Sequence, residues 1–222
     1  LNVRTLENKQ DICIGIDPGS KKEGFTVKST AKTLINIQAD AVTWVKDAVE
    51  RRRNARRSRR NRKTPCRQPR FNKAKGGLTP STKARWQWKL RLLNYLMKLF
   101  PISHVVVEDI KAETKGQKRW DKSFSPLQIG KNWFYDQIRA TGVTLLTKEG
   151  WETKELRDSH GLHKTKNKLS KSFNAHCVDS WVLANFVVGG HIKPDNTEMI
   201  YIKPLQLHRR QLQVFVPTKG GK

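Results

Sequence analysis

The chain has 222 residues, with 45 Lys and Arg against 19 Asp and Glu, a formal net charge of +26 at pH 7. A field of that sign and size is self-repelling until it meets a polyanion, so a phosphate backbone fits as partner far better than a small acidic substrate. Hydrophobic residues make up 36%, including eight Phe and seven Trp, enough for one sizeable core and too many for a wholly disordered tail.

No run approaches the roughly 18 to 20 apolar residues of a membrane span, and the N-terminus lacks the apolar stretch of a signal peptide. Cys13, Cys66 and Cys177 form no C-x-x-C pair, which argues against a disulfide framework and a zinc ribbon and fits a reducing, cytoplasmic location. The start at Leu1 and the basic ending Lys219-Gly220-Gly221-Lys222 suit a piece of a longer protein.

Ile12 to Asp17 is a short apolar run ending in a carboxylate and followed by Pro18-Gly19-Ser20, which predicts a central strand and a turn. Gly24 to Lys28 and Thr33 to Ala39 alternate at period two, so the first forty residues predict a three-strand antiparallel meander. Val42, Val45 and Val49 then start an amphipathic helix, whose continuation from Arg51 to Lys63 holds nine cations in thirteen positions, on every face. Like charges at i and i+4 weaken such a helix by a few tenths of a kcal/mol per pair, so it calls for external anions. Thr64 to Pro80, with three prolines, two adjacent glycines and more cations, reads as an extended basic linker.

Trp86, Leu90, Leu93, Met97 and Phe100 mark a helical stripe over about 81–100, stopped by Pro101. Ser103 to Val107 is a second apolar strand ending in a carboxylate, Glu108, with Asp109 beside it. Ser125-Pro126 opens a helix with an apolar side at Trp133, Phe134 and Ile138, closed by Gly142, and Val143 to Leu146 is a short strand. Residues 148–173 are charged and mixed and read as a long loop. Asn174 to Val188 reads as a largely buried helix ended by Gly189-Gly190, with short strands and basic loops after Pro194.

Three acids stand in unfavourable settings: Asp17 and Glu108 at the ends of apolar strands, and Asp179 on an apolar helix. Burying a carboxylate without a partner costs several kcal/mol, so each needs a cation, a hydrogen-bond shell or a raised pKa. Two neighbouring strands and a helix crossing their ends would gather all three into a two-metal phosphodiester site with oxygen ligands, the chemistry of Mg²⁺. His176, three residues before Asp179, could orient the nucleophilic water or shuttle its proton. Taken singly, each has a plainer reading: a turn-forming Asp, a strand-end acid, a core histidine.

In order, Ile14-Gly15-Ile16-Asp17-Pro18-Gly19-Ser20, Val105-Val106-Val107-Glu108-Asp109 and His176-Cys177-Val178-Asp179-Ser180 resemble the three split motifs of RuvC-type nuclease domains. The arginine-rich run from Arg51, with the segment through Pro69-Arg70-Phe71-Asn72, resembles the bridge helix of transposon-encoded RNA-guided nucleases of the IscB and IsrB type. Only the 67 residues at positions 109–175 separate Glu108 from His176, and although His160 and His163 are available, no HNH nuclease fits there. The resemblance is therefore to IsrB, the type lacking HNH.

The resemblance implies an α/β, ribonuclease H-like mixed sheet flanked by helices, with a protruding arginine-rich helix. It implies nuclease parts at 1–41, 81–147 and 148–193, an arm at 42–80, and a basic segment at 194–222 leading to a further domain. Catalytic residues would be Asp17, Glu108, His176 and Asp179, the three acids holding two Mg²⁺ ions, with Mn²⁺ as the alternative. Asp17 needs a neighbour on its own face of the sheet, and the resemblance selects Glu108 over Asp109. Arg51, Arg52, Arg53, Arg56, Arg57, Arg59, Arg60, Arg62 and Lys63, extended by Arg67 and Arg70, would bind nucleic acid, and Lys73, Lys75, Arg85 and Lys89 would widen that surface. Arg157 and Lys164 could approach the scissile phosphate. Trp120 and Trp151 suit a core or hinge role, with base stacking as the alternative.

The implied partners are a structured guide RNA and a double-stranded DNA target, with no membrane, in a monomeric ribonucleoprotein that nicks the displaced strand. Two other classes stand beside this: a guide-free, structure-specific nuclease of the junction-cutting kind, and a non-catalytic RNA-binding protein, for which the charge would be ordinary.

Overall fold

A computed structural model describes residues 10–63, 78–110 and 126–205. Arg67, Arg70, Lys73, Lys75, Trp120, Ser125 and most of the basic C-terminal segment lie outside the described residues. Six strands form one mixed sheet: β1 (Ile12–Asp17), β2 (Lys22–Ser29), β3 (Thr33–Asp40), β4 (His104–Asp109), β5 (Thr144–Glu149) and β6 (Ile200–Ile202), in the order β5-β4-β1-β2-β3-β6. β1, β2 and β3 are the expected antiparallel meander, while β4 runs parallel to β1, β5 to β4, and β6 to β3. The expected mixed α/β sheet flanked by helices is thus present.

Side chains alternate across this sheet, and the alternation decides what meets what. Ile14 and Ile16 of β1, Phe25 and Val27 of β2, and Val105 and Val107 of β4 pack with α2 (Pro80–Leu99) and α3 (Pro126–Arg139) through Trp86, Leu93, Leu96, Phe134 and Ile138. Each such side chain, fully buried, stabilises by about 1.5–3 kcal/mol. Cys13 and Val106 face the other way, against Leu183, Ala184 and Val188 of α5 (Val178–Val188). By the same parity Asp17 and Glu108 face the α5 layer, and the register Ile16↔Val107 sets them side by side at the strand ends.

Two glycines let α5 and the turn before it lie directly on the sheet. A Cβ on Gly15 would overlap the Ser180 carbonyl oxygen and sit 2.8 Å from the Ala184 nitrogen, and one on Gly24 would overlap the His176 carbonyl oxygen. The expected buried helix is in two parts, a π-helical turn (Phe173–Cys177) and then α5, which Gly189 ends at φ 63°. At the far edge β6 pairs only Ile37 to Ala39. Beyond it Asp195 Oδ2 accepts the Thr33 backbone N–H at 2.8 Å, and Asn36 Nδ2 donates to the carbonyls of Asn196 and Glu198.

Three expectations need correction. The stretch read as a loop before Phe173 contains α4 (Gly150–Ser159). Its apolar content is too low for a periodic signal, and it is held instead by buried Thr153, by Leu156 packed against the α5 layer, and by the ion pair of Arg157 with Asp179. The apolar side of α1 (Val45–Asn61) ends early: Val42 and Val45 are buried, Val49 is 47% exposed, and every residue from Arg51 to Lys63 is exposed. Lys89 does not extend the basic surface, because it is buried, with Nζ donating to Glu23 Oε1 at 2.6 Å and lying 4.9 Å over the Trp86 ring.

Gly15→Ala forces α5 off β1, so thermal denaturation is expected to show a loss of about 3 kcal/mol; a change within error would mean the layer yields. Lys89→Met leaves Glu23 buried without its cation and is expected to cost about 3 kcal/mol in urea titration. Nucleic-acid affinity of the folded Lys89→Met variant should stay unchanged, and a loss would return Lys89 to the binding surface.

Candidate active site

Asp17, Asp179 and His176 are 4%, 2% and 6% exposed, respectively. Asp17 Oδ2 lies 3.1 Å from His176 Nδ1 and 3.4 Å from Lys164 Nζ. The same Lys164 Nζ donates to Asp179 Oδ2, while Arg157 Nη1 donates to Asp179 Oδ1 at 2.7 Å. His176 Nε2 is 3.2 Å from the Lys168 carbonyl oxygen, so both ring nitrogens are engaged and the ring holds Asp17 in place. The π-helical turn carries His176 into the layer between sheet and helix, and extra residues of this kind re-aim a side chain.

Glu108 shares a hydrogen bond with Asp17. Burial raises the Glu108 pKa first, and the Asp17 charge, the shared hydrogen bond and the Asp179 charge add to it, pushing it up to about 8. Burial also works to raise Asp17, but the His176 hydrogen bond, the Lys164 charge and the Glu108 hydrogen bond outweigh it and hold Asp17 below the ordinary carboxylate range. Burial works to lower Lys164, and the charges of Asp17 and Asp179 overcome it and raise it. A neutral Glu108 donating to an ionised Asp17 is the arrangement two adjacent buried carboxylates adopt.

Asp109, on the opposite face, is engaged elsewhere: Lys131 Nζ donates to its Oδ1 at 2.5 Å and Tyr135 Oη at 3.0 Å. Glu108, not Asp109, is therefore the strand-end acid beside Asp17. Among the described residues, no three His, Cys, Asp or Glu side chains are gathered closely enough to hold a metal ion as they stand. The donor chemistry nonetheless suits a hard cation, since a cationic nitrogen, Lys164 Nζ, already bridges Asp17 and Asp179.

Three contributors fall outside the four residues expected from sequence. Arg157 and Lys164, expected only near the scissile phosphate, sit on the carboxylates themselves. Glu23, fully buried, is a fourth acid whose pKa is raised by burial, a shift that the Lys89 charge and hydrogen bond oppose and the Asp17 charge adds to. The sign in the sequence is Lys22-Glu23, two charges at the head of an otherwise apolar-alternating strand.

The chain also carries α1, with the exposed run Arg56-Arg57-Ser58-Arg59-Arg60. The RRXRR protein family matches residues 1–121, more than half of the chain and inclusive of that run. The chain belongs to the RRXRR protein family. Among solved structures this RRXRR protein is similar to Thermus thermophilus RuvC in complex with a Holliday junction substrate, at 14% identity and TM-score 0.41, over 81% of this chain and 97% of that one. It is similar also to a second Thermus thermophilus RuvC structure (14% identity, TM-score 0.41, 78% and 90% covered). A further similarity is to the yeast mitochondrial Holliday junction resolvase (14% identity, TM-score 0.38, 79% and 76% covered). No curated protein matches the chain.

Glu108 gives a pH dependence. In the folded, metal-free chain it keeps its proton to about pH 8, against 4.5 for an ordinary Glu. The unfolded chain releases that proton first, so between these values folding takes up a proton and stability falls as pH rises, levelling off above the folded value. Thermal melts in chelator should show that fall, and Glu108→Gln should flatten it. An equal slope in both proteins would assign the titration to another group.

Proposed function

We propose that this RRXRR protein is a divalent-metal-dependent DNA endonuclease that carries a guide RNA and nicks the DNA strand the guide displaces. The observation that carries the nuclease reading is the meeting of Asp17, Glu108 and Asp179, from three segments far apart in sequence, on one face at the ends of β1 and β4. A structural set of acids would be fully neutralised by fixed cations. Here one acid stays protonated and Lys164, 28% exposed at its side chain, can withdraw.

Asp17, Glu108 and Asp179 would hold the metal, with Glu108 giving up its proton as it does so. Bound Mg²⁺ supplies Lewis acidity toward a phosphodiester and lowers the pKa of attacking water. Lys164 then leaves the carboxylates and, with Arg157, turns its charge to the incoming phosphate, where both positive groups offset charge developing on the oxygens. His176 keeps Asp17 oriented through Nδ1, and its Nε2 would reach an attacking water only after leaving the Lys168 carbonyl oxygen.

RNA guidance is supported by α1. Nine exposed cations over residues 51–63, seven on α1 and Arg62 and Lys63 just past its end, suit a duplex held by its phosphates while base pairing reads the sequence. Membership of the RRXRR family, the absence of room for an HNH unit and the resemblance to IsrB point the same way. Residues 1–41, 81–147 and 148–193 would together form the nuclease, with 42–80 as its RNA-facing arm.

The test is plasmid nicking by protein purified with its co-expressed native-locus RNA. Nicked circles should require Mg²⁺, disappear in EDTA and after ribonuclease treatment, and fall on the order of a hundredfold in Asp17→Ala. Nicking that survives ribonuclease would give a guide-free nuclease, and nicking that survives Asp17→Ala would sink the site. Replacing Arg56, Arg57, Arg59 and Arg60 by Gln should flatten the salt dependence of RNA binding, the logarithmic slope dropping by about 0.7 for each phosphate that is no longer neutralised.

A further inference from the structure

Trp151 is 65% exposed, an unusual state for so large an apolar ring, and it belongs to none of the described hydrophobic clusters. The expected core role is therefore not filled. Trp151 is the second residue of α4, and its neighbour Gly150 lies so close to the carboxylate site that a Cβ there would stand 3.2 Å from Glu108 Oε1. The root of the ring is one Cα step, about 3.8 Å, from that border.

The ring is also oriented. Its Nε1–H donates to Glu149 Oε2 at 3.1 Å, and the Glu149 backbone is fixed by its pairing with Asp109 and by an N–H bond to Glu152 Oε2 at 2.7 Å. At about 100° per residue, Arg157, Gly150, Lys154 and Trp151 follow one another round α4 over about 120° of arc. From the buried carboxylates outward the surface thus offers a cation already on Asp179, an exposed lysine, then an aromatic plane. That succession matches a nucleotide, phosphate inward and base outward. Asp158, about 80° round from Gly150 on the same wheel but about two turns farther along the helix than Trp151, and Glu155 repel a backbone toward the C-terminal end of that face.

We propose that Trp151 is a stacking platform for a base of the single DNA strand entering the carboxylate site, with Lys154 on the adjoining phosphate. This rests on the endonuclease reading, and it supplies the strand's point of entry.

The test uses the intact chain in chelator, where nothing is cut. The probe is a short single-stranded DNA carrying a fluorescent adenine analogue whose emission falls on stacking. Wild type should quench the analogue. Trp151→Leu should weaken binding roughly tenfold and restore emission, and Trp151→Phe should keep most of both. Lys154→Gln should weaken binding in low salt and leave the quenching of bound probe intact. Wild-type binding and quenching by Trp151→Leu would overturn the proposal, as would stronger quenching of the matching RNA than of the DNA. Because Asp17→Ala leaves the ring in place, quenching by that variant is expected whether or not the protein cuts, so failure of cleavage and failure of stacking are read separately.

Discussion

Negative charge held out of water at the ends of two parallel strands is the constraint on which the rest depends. Asp17 and Glu108 are set side by side by register, and in a poorly solvated layer two ionised carboxylates at that spacing repel strongly. The chain answers by keeping a proton on Glu108, by reaching in with Lys164 and Arg157, and by bracing Asp17 with His176. α4, the segment after it and the π-helical turn are the scaffolding of that answer. None of the three forms on apolar periodicity, and each delivers one charged or polar group to the same few ångströms.

What was legible in the sequence follows from this division. β1 to β4, α2 and α3 announce themselves because burial selects apolar side chains at the strand or helix period. Asp17, Glu108 and Asp179 stood out as charges breaking those patterns. α4 was invisible because its stability is tertiary: one buried Thr, one Leu and an ion pair to α5 leave no stripe to read. Lys89 misled for a related reason, since a lysine in a basic region looks solvated until its partner, Glu23 on another element, is known. Arg157 and Lys164 could be placed near the site by position, but not on the acids.

The basic arm and the carboxylate site divide the charge differently. In α1 the cations are exposed to solvent. Around Asp17 they are drawn in and matched. A single-sign arm can be strongly basic without unfolding the domain because Val42 and Val45 are its last buried anchors, after which it leaves the core altogether. Repulsion within the arm is then screened by solvent and salt, or relieved by a bound backbone, while the packed layers feel little of it.

The short edge strand beyond β3 has its own consequence. A strand edge normally offers unpaired amides to any neighbouring chain, and copies recruited along one polyanion would be held at high local concentration. With β6 over Ile37 to Ala39, Asp195 on the Thr33 amide and Asn36 tied to the Asn196 and Glu198 carbonyls, the border passes to β6, a strand of 3 residues. So short an edge gives crowded copies little ladder to share, and they could part again when the polyanion released them.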